Sequence, residues 1–273
     1  MTDTLQSLPG NSANNKPVVL KGTPRNDVLH GSLGHTTFDG GLGNDIYYSK
    51  NAGDTIVEYA HEGNDTVYAD TTFTLPTHVE NLTLTGNSNT FGFGNNSNNI
   101  LIGNRGNNRL SGGRGNDKLE GMAGNDLLLG GDGDDSLYGG DGNDSLHGGD
   151  GDDYIAGGSG SDTIITGEGK DTVAFTASDI REGSIDRLLD FNPTMDKLDL
   201  SGMRSLLTGS NANLSWSKMF VEKDPEVILQ KDRPYLIFDT EQHTLAYREA
   251  GSSSSTIFAK FDFVWLDASN IIG

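Results

Sequence analysis

Residues 130–156 read Gly130-Gly131-Asp132-Gly133-Asp134-Asp135-Ser136-Leu137-Tyr138, then Gly139-Gly140-Asp141-Gly142-Asn143-Asp144-Ser145-Leu146-His147, then Gly148-Gly149-Asp150-Gly151-Asp152-Asp153-Tyr154-Ile155-Ala156. One unit, Gly-Gly-x-Gly-x-Asp-x-apolar-x, recurs here without insertion. A short fixed period of glycines, one carboxylate and one apolar residue marks a coil that stacks on copies of itself, because no single unit has a face it can bury alone. The pattern extends over 94–174. Its eighth positions are Leu101, Leu110, Leu119, Leu128, Leu137, Leu146, Ile155, Ile164 and Val173, all apolar. Its sixth positions are Asn99, Asn108, Asp117, Asp126, Asp135, Asp144, Asp153, Asp162 and Asp171, so the charge enters at the third unit and is kept from there.

A less regular array precedes it at 22–68. Its eighth positions are Leu29, Phe38, Tyr47 and Ile56, then Val67 after the insertion Glu58-Tyr59; its sixth positions are Asp27, Thr36, Asp45, Asp54 and Asp65. Between the arrays, 69–93 has no glycine-aspartate unit. Val79, Leu82 and Leu84, then Phe91 and Phe93, still alternate as strands do, so the stretch reads as a metal-free β spacer that continues the coil, with a flexible linker as the alternative. Residues 1–21 are polar and aperiodic and read as a disordered leader. From 175 to 273 glycine thins out and Trp216 and Trp265 appear. There 184–201 reads as strand, turn and strand about Phe191-Asn192-Pro193, and 235–239, 245–247 and 256–266 as further strands. A small β-rich C-terminal cap is what a stack needs to cover its last coil.

The nine-residue unit has a physical reading. The first six residues turn sharply, which glycine permits through positive φ. The last three form a short strand with the central apolar side chain inward. Two units close one coil, so alternate units stack in parallel, about 4.8 Å apart. Asp117, Asp135 and Asp153 then line one edge and Asp126, Asp144 and Asp162 the other. Unit charges at that spacing repel by about 3 to 4 kcal/mol at an effective dielectric of 20. A divalent cation between coils reverses the sign. Oxygen-only donors on a compliant loop suit Ca²⁺ better than Mg²⁺, which holds its water and demands an octahedron. Asp and Asn also favour glycine-rich turns, which would explain one copy but not a run in phase with an apolar residue.

Composition narrows the partners. The 273 residues hold 38 glycines, no cysteine and a formal net charge of −20. Disulfides and thiolate metal sites are excluded, and no basic stripe is available for nucleic acid. No cleavable N-terminal signal and no apolar run long enough to span a bilayer is visible. His61-Glu62 continues as Gly63-Asn64-Asp65, not as His-Glu-x-x-His, and no Gly-x-Ser-x-Gly occurs. The six histidines, His30, His35, His61, His78, His147 and His243, have no ligand spacing and read as turn residues. No catalytic group emerges.

The units from 112 to 165 resemble the repeats-in-toxin (RTX) calcium-binding nonapeptide. Asp186-Arg187-Leu188-Leu189-Asp190-Phe191-Asn192-Pro193, followed by Asp196-Lys197-Leu198-Asp199-Leu200-Ser201, is similar to the cap that follows the roll in serralysin-type proteins. Val79-Glu80-Asn81-Leu82-Thr83-Leu84-Thr85-Gly86 resembles a spacer of bacterial RTX exoproteins. The resemblance covers almost everything after the leader. It implies an all-β fold, a right-handed parallel β-roll of calcium-binding nonapeptides with its cap, several bound Ca²⁺ ions, and export by a type I secretion machinery reading an uncleaved C-terminal signal. The ligands it implies are the aspartates Asp117, Asp126, Asp135, Asp144, Asp153, Asp162 and Asp171, with Asp27, Asp45, Asp54 and Asp65 in the first array. Main-chain carbonyls would join them: those near Gly121 and Ala123 with Asp126, those near Gly130 and Asp132 with Asp135, and their counterparts at Gly112, Gly139, Asp141, Gly148 and Asp150. Met122 and Ala123 depart from the motif, as does Thr166-Gly167-Glu168-Gly169. The expected function is that of a secreted, extracellular, non-enzymatic protein that folds on meeting Ca²⁺ and interacts with a host, a bacterial surface or a polysaccharide. The alternatives are an accessory module of a secreted hydrolase or alginate epimerase, and a membrane-active or ion-channel-like nodulation exoprotein.

Overall fold

The computed structural model describes residues 3–6, 18–181, 184–203, 206, 220–222, 235–239, 241–249, 252, 254–262, 266 and 268–272, in two compact units, Met1–Gly133 and Asp134–Gly273. Both are built almost wholly of short parallel strands, as the nonapeptide predicts.

In the first unit, strands Asp3–Gln6, Asp27–His30, Ile46–Ser49, Thr66–Ala69, Asn81–Leu84, Ile100–Ile102 and Lys118–Ala123 stack in that order. The intervening strands form two further stacks, Val18–Lys21, Thr36–Asp39, Thr55–Val57 and then Phe73–Thr74, Phe91–Phe93, Arg109–Arg114, Leu127–Asp132. Leu29 lies beside Tyr47, Phe38 beside Ile56 and Leu110 beside Leu128, so each strand pairs with the one two units on. All but one of these inward side chains are fully buried, and Ile56 nearly so. Each coil thus contributes its apolar positions to one column, and the column is the core.

The spacer keeps the stack going. Val67 pairs with Leu82, and Leu82 with Leu101, so 69–93 forms coil of altered length. The step along the aspartate edge is 18 residues from Asp27 to Asp45, 20 to Asp65 and 15 to Glu80. Strand contributions also come from inside the stretch read as a disordered leader: Asp3–Gln6 lies along Asp27–His30 and Val18–Lys21 along Thr36–Asp39. The open first strand of a stack presents unpaired backbone groups, which any extended segment can satisfy, and Val18-Val19-Leu20 has β-branched residues suited to it.

In the second unit, strands Ser136–Asp141, Tyr154–Ser159, Thr172–Thr176, Lys197–Gly202 and Ile271–Ile272 form one stack. Ser145–Asp150, Thr163–Glu168 and Asp186–Leu188 begin the other, which Thr256–Phe261, Thr244–Arg248, Tyr235–Asp239 and Phe220–Glu222 extend. Parallel stacking therefore continues past 174 by two strands on each side, Lys197–Gly202 and Ile271–Ile272 on one, Asp186–Leu188 and Thr256–Phe261 on the other. The cap strands run antiparallel from Tyr235 to Phe261 and join the roll where Leu188 meets Phe261. Phe261 packs edge-on against Phe191 and Phe238, and Phe258 against Phe175, with ring centroids 5.3–6.1 Å apart. These aromatics form the core of the cap; Trp216, Phe263 and Trp265 lie outside the described residues.

Turn geometry follows the glycines. The second glycine of each turn has positive φ, as at Gly113 (115°) and Gly131 (127°). Met122 holds the same place with φ 79°, a left-handed conformation a side chain resists, and its own side chain is half exposed. Met122→Gly therefore removes strain at little loss of burial and is expected to raise stability by about 1 kcal/mol. Urea midpoints of the two proteins in saturating calcium measure it.

Candidate metal sites along the coil edges

The sixth-position aspartates come together as the register requires. Each is buried, and most tie one carboxylate oxygen to the backbone of the preceding coil. Asp27 N–H donates to Asp45 Oδ1 and Asp45 N–H to Asp65 Oδ1, both at 2.7 Å. In the second unit Asp135 N–H donates to Asp153 Oδ1 and Asp144 N–H to Asp162 Oδ1 at 2.7 Å, and Asp153 N–H to Asp171 Oδ1 at 2.9 Å. Asp54 does the same for Thr36 N–H, and Asp117 and Asp126 for Asn99 N–H and Asn108 N–H. The strands continue their ladder through these side chains.

The second oxygen is different. In Asp27, Asp45, Asp65, Asp153, Asp162 and Asp171 it is buried with no hydrogen-bond donor. A lone carboxylate oxygen out of water is costly, so it needs a cation or a proton. Its surroundings are set by the first glycine of the turn. A Cβ on Gly148 would collide with Asp153 Oδ2 and with the Thr166 carbonyl oxygen; one on Gly139 would meet Asp144 Oδ2 and the Gly157 carbonyl, and one on Gly157 would meet Asp162 Oδ2. Carboxylate and carbonyl oxygens of successive coils thus converge where only glycine leaves room. This all-oxygen, mostly backbone donor set fits Ca²⁺. Among the described residues no three acidic or histidine side chains converge on a metal-sized site, so carbonyls must complete the shell.

The third-position residues Asp132, Asp141 and Asp150 turn their side chains to solvent. Asp132 faces Arg114 at 3.4 Å, which leaves its carbonyl, not its carboxylate, for the turn. Gly112 and Gly121 present their carbonyls toward Gly94 and Gly103 of the preceding coil.

Burial, helped by neighbouring carboxylates and opposed by the backbone donor, pushes the aspartates well above the usual carboxylate range: Asp65, Asp153 and Asp162 to about 7, Asp45 and Asp171 to about 6.

Four acidic residues take part that the motif does not mark. Asp186 Oδ1 accepts from Asp162 N–H at 2.9 Å and Asp196 Oδ1 from Asp171 N–H at 3.1 Å, carrying both edges into the cap. Burial pushes Asp186 up to about 8, with the Asp162 carboxylate adding to it. Glu80 Oε2 accepts from Asp65 N–H at 2.9 Å. Asp186, Asp196 and Glu80 each stand two residues before an inward leucine, Leu188, Leu198 and Leu82; that spacing was their signal. Glu58, from the insertion, sits where a glycine would, accepts from the Tyr47 hydroxyl and from Gly40 N–H, and keeps its Oε2 without a donor. Nothing in the motif announces it.

The histidines behave as turn and surface residues: His61, His78 and His243 have positive φ, and His30 stacks on Tyr48 with ring centroids 4.4 Å apart. Among the described residues no helix is long and apolar enough to cross a membrane.

A family model, the RTX calcium-binding nonapeptide repeat (4 copies), matches residues 19–56, 93–128, 111–146, 120–155, 129–164 and 147–175. These matches leave out 57–92, the stretch without glycine-aspartate units. Among curated proteins, endo-1,3-1,4-beta-glycanase ExsH of Rhizobium meliloti (strain 1021) is 44% identical over 85 residues. The aligned part is 31% of this chain, and the chain spans 18% of that relative's length.

Gly148→Ala is expected to remove one Ca²⁺ per chain, counted by equilibrium dialysis, because its methyl group fills the space between two ligand oxygens. A pH series supplies the second check. The folded carboxyls lie above their unfolded value of about 4, so protonation stabilises the metal-free coil. That gain is complete below about pH 4 and is lost as pH rises through 6 to 7. Calcium affinity should fall over the same window on acidification, and metal-free protein should resist urea better at pH 5 than at pH 8.

Proposed function

Since the chain is an RTX-type calcium-binding repeat protein, we propose that Ca²⁺ acts as its folding switch: the coils order outside the cell, where the ion is abundant, and the folded protein serves as a non-enzymatic interaction module. The row of buried carboxylate oxygens lacking a donor, in Asp27, Asp45, Asp65, Asp153, Asp162 and Asp171, carries this reading. Without the ion each opposes its own burial; with it each becomes a ligand.

The magnitudes suit a switch. Extracellular calcium sites of this kind bind at roughly 10⁻⁴ to 10⁻³ M, far above the free Ca²⁺ of a cytosol, so the aspartate coils stay unordered and the chain exportable there. Each site filled at ten times its dissociation constant adds about 1.4 kcal/mol, and several together match the stability of an ordinary domain. Secretion by a type I machine reading the C-terminal region fits this logic, since an unfolded chain is what such a route must carry. The targets we expect are host or bacterial surfaces and polysaccharides.

The relative's name favours a second reading, in which the coils act as the accessory module of a secreted glycan-degrading enzyme. Retention on an immobilised 1,3-1,4-β-linked glycan in calcium, with faster turnover by a separate glycanase, would select it.

Circular dichroism during a calcium titration tests the switch. Strand signal should rise cooperatively between about 0.1 and 10 mM Ca²⁺ and fall back in chelator. Asp153→Asn with Asp162→Asn should shift the midpoint to higher calcium. A strand signal indifferent to chelation refutes the switch.

A further inference from the structure

The coils between 79 and 111 solve the problem of the turn carbonyls by other means. Where the charged turns carry a second glycine, these carry Asn95 and Asn104, and where the charged turns carry aspartate they carry Asn99 and Asn108. Asn104 Nδ2 donates to the carbonyls of Thr85 at 3.1 Å and Ser88 at 3.0 Å and to Thr90 Oγ1 at 3.1 Å. Its Oδ1 accepts from Gly106 N–H at 2.7 Å and from Asn108 Nδ2 at 3.2 Å. Asn108 Nδ2 also donates to the Thr90 carbonyl at 3.0 Å, and Asn108 Oδ1 accepts from Asn104 N–H at 2.7 Å. Asn104, Asn108 and Thr90 are all buried.

The turn before it, at Asn95, uses the same device. Asn95 Nδ2 donates to the carbonyls of Pro76 at 2.7 Å and Val79 at 2.8 Å, and its Oδ1 accepts from Ser97 N–H at 2.8 Å. Asn99 Nδ2 reaches the Glu80 carbonyl at 3.2 Å, and Asn99 Oδ1 accepts from Asn95 N–H at 2.7 Å. The amide orientations are fixed, because every Oδ1 faces a backbone N–H and every Nδ2 a carbonyl; reversing one would set oxygen against oxygen. Neither Asn95 nor Asn104 has the positive φ of the second glycine, so these turns have a different backbone as well as different side chains.

We propose that Asn95 and Asn104, with Asn99 and Asn108, determine which turns refuse Ca²⁺: their NH₂ groups take up the preceding coil's turn carbonyls, and the coils at 79–111 stay folded in the ion's absence. An amide supplies the partial positive charge without the carboxylate that demands a full one, and all of its polar atoms are used. The segment is then a standing scaffold beside which aspartate coils order when calcium arrives. This rests on the reading that the aspartate turns need Ca²⁺.

Two measurements test it. Asn104→Gly with Asn108→Asp restores the full Gly-Gly-x-Gly-x-Asp motif over 103–108 and should bind one more Ca²⁺ per chain by equilibrium dialysis; an unchanged count overturns the assignment. Hydrogen–deuterium exchange of the unaltered protein in excess chelator reads the scaffold. Peptides from 79–111 should be protected at least about a hundredfold more than those from 135–171. Equal, fast exchange in chelator, with protection of both in calcium, overturns the scaffold while leaving the calcium switch intact. Equal protection of both in chelator refutes the switch instead, and the dialysis count then decides the asparagine assignment alone.

Discussion

The structure depends on buried turn carboxylates, such as those of Asp45, Asp65, Asp153, Asp162 and Asp171, whose needs the protein meets only by half. One oxygen extends the hydrogen-bond ladder to the coil before it, as Asp162 does for Asp144 N–H; in Asp162 the other has no donor in the protein. Such a group is too costly to keep as a bare anion away from water. The turn is therefore complete only with a cation or a proton, and the first glycine, the carbonyl of the next coil and the raised acidity range are consequences of that one incomplete bond. The apolar column sets where the coils lie, and the carboxylates set the conditions under which they lie there.

Periodicity made the regular parts legible. An apolar residue at every ninth position could serve only as an inward column, and Asp117 to Asp171, in phase with it, only as an edge. What glycine did not mark was harder to see. Asp186 and Asp196 keep the two-residue interval to an inward leucine, yet no Gly-Gly precedes them, so they read as cap residues. Glu80 reaches the same backbone position with a longer side chain and a shortened coil, a compensation that only the folded chain reveals. The strand Asp3–Gln6 has no pattern of its own and owes its existence to the open edge of Asp27–His30. Asn99 and Asn108 were legible as neutral turns; that Asn95 and Asn104 would turn their amides onto the previous coil was not, because asparagine in a loop has many ordinary uses.

The two arrays and the stretch between them differ in how they satisfy the same backbone. Charged turns leave oxygens over for an ion, while asparagine turns use internal donors. Glu58 with Tyr47 fills a glycine position by a third arrangement. One repeat geometry thus tolerates three chemistries at its edge, provided an inward apolar residue remains in every coil.

Alternation between two stacks also gives the chain a grammar of length. In the second unit, Leu137 stacks with Ile155 and Leu146 with Ile164, so odd and even units belong to different walls. Duplicating 18 residues adds a coil and leaves every later unit on its own wall. Duplicating nine would send each later unit to the opposite wall, and Asp186–Leu188 and Lys197–Gly202 would arrive at each other's places. Small insertions and deletions within a coil are absorbed, as the steps of 20 and 15 residues about Asp65 demonstrate. Tandem duplication can therefore lengthen such a gene by pairs of units but not by one, and whole-repeat counts between such a cap and any added coil should keep a fixed parity.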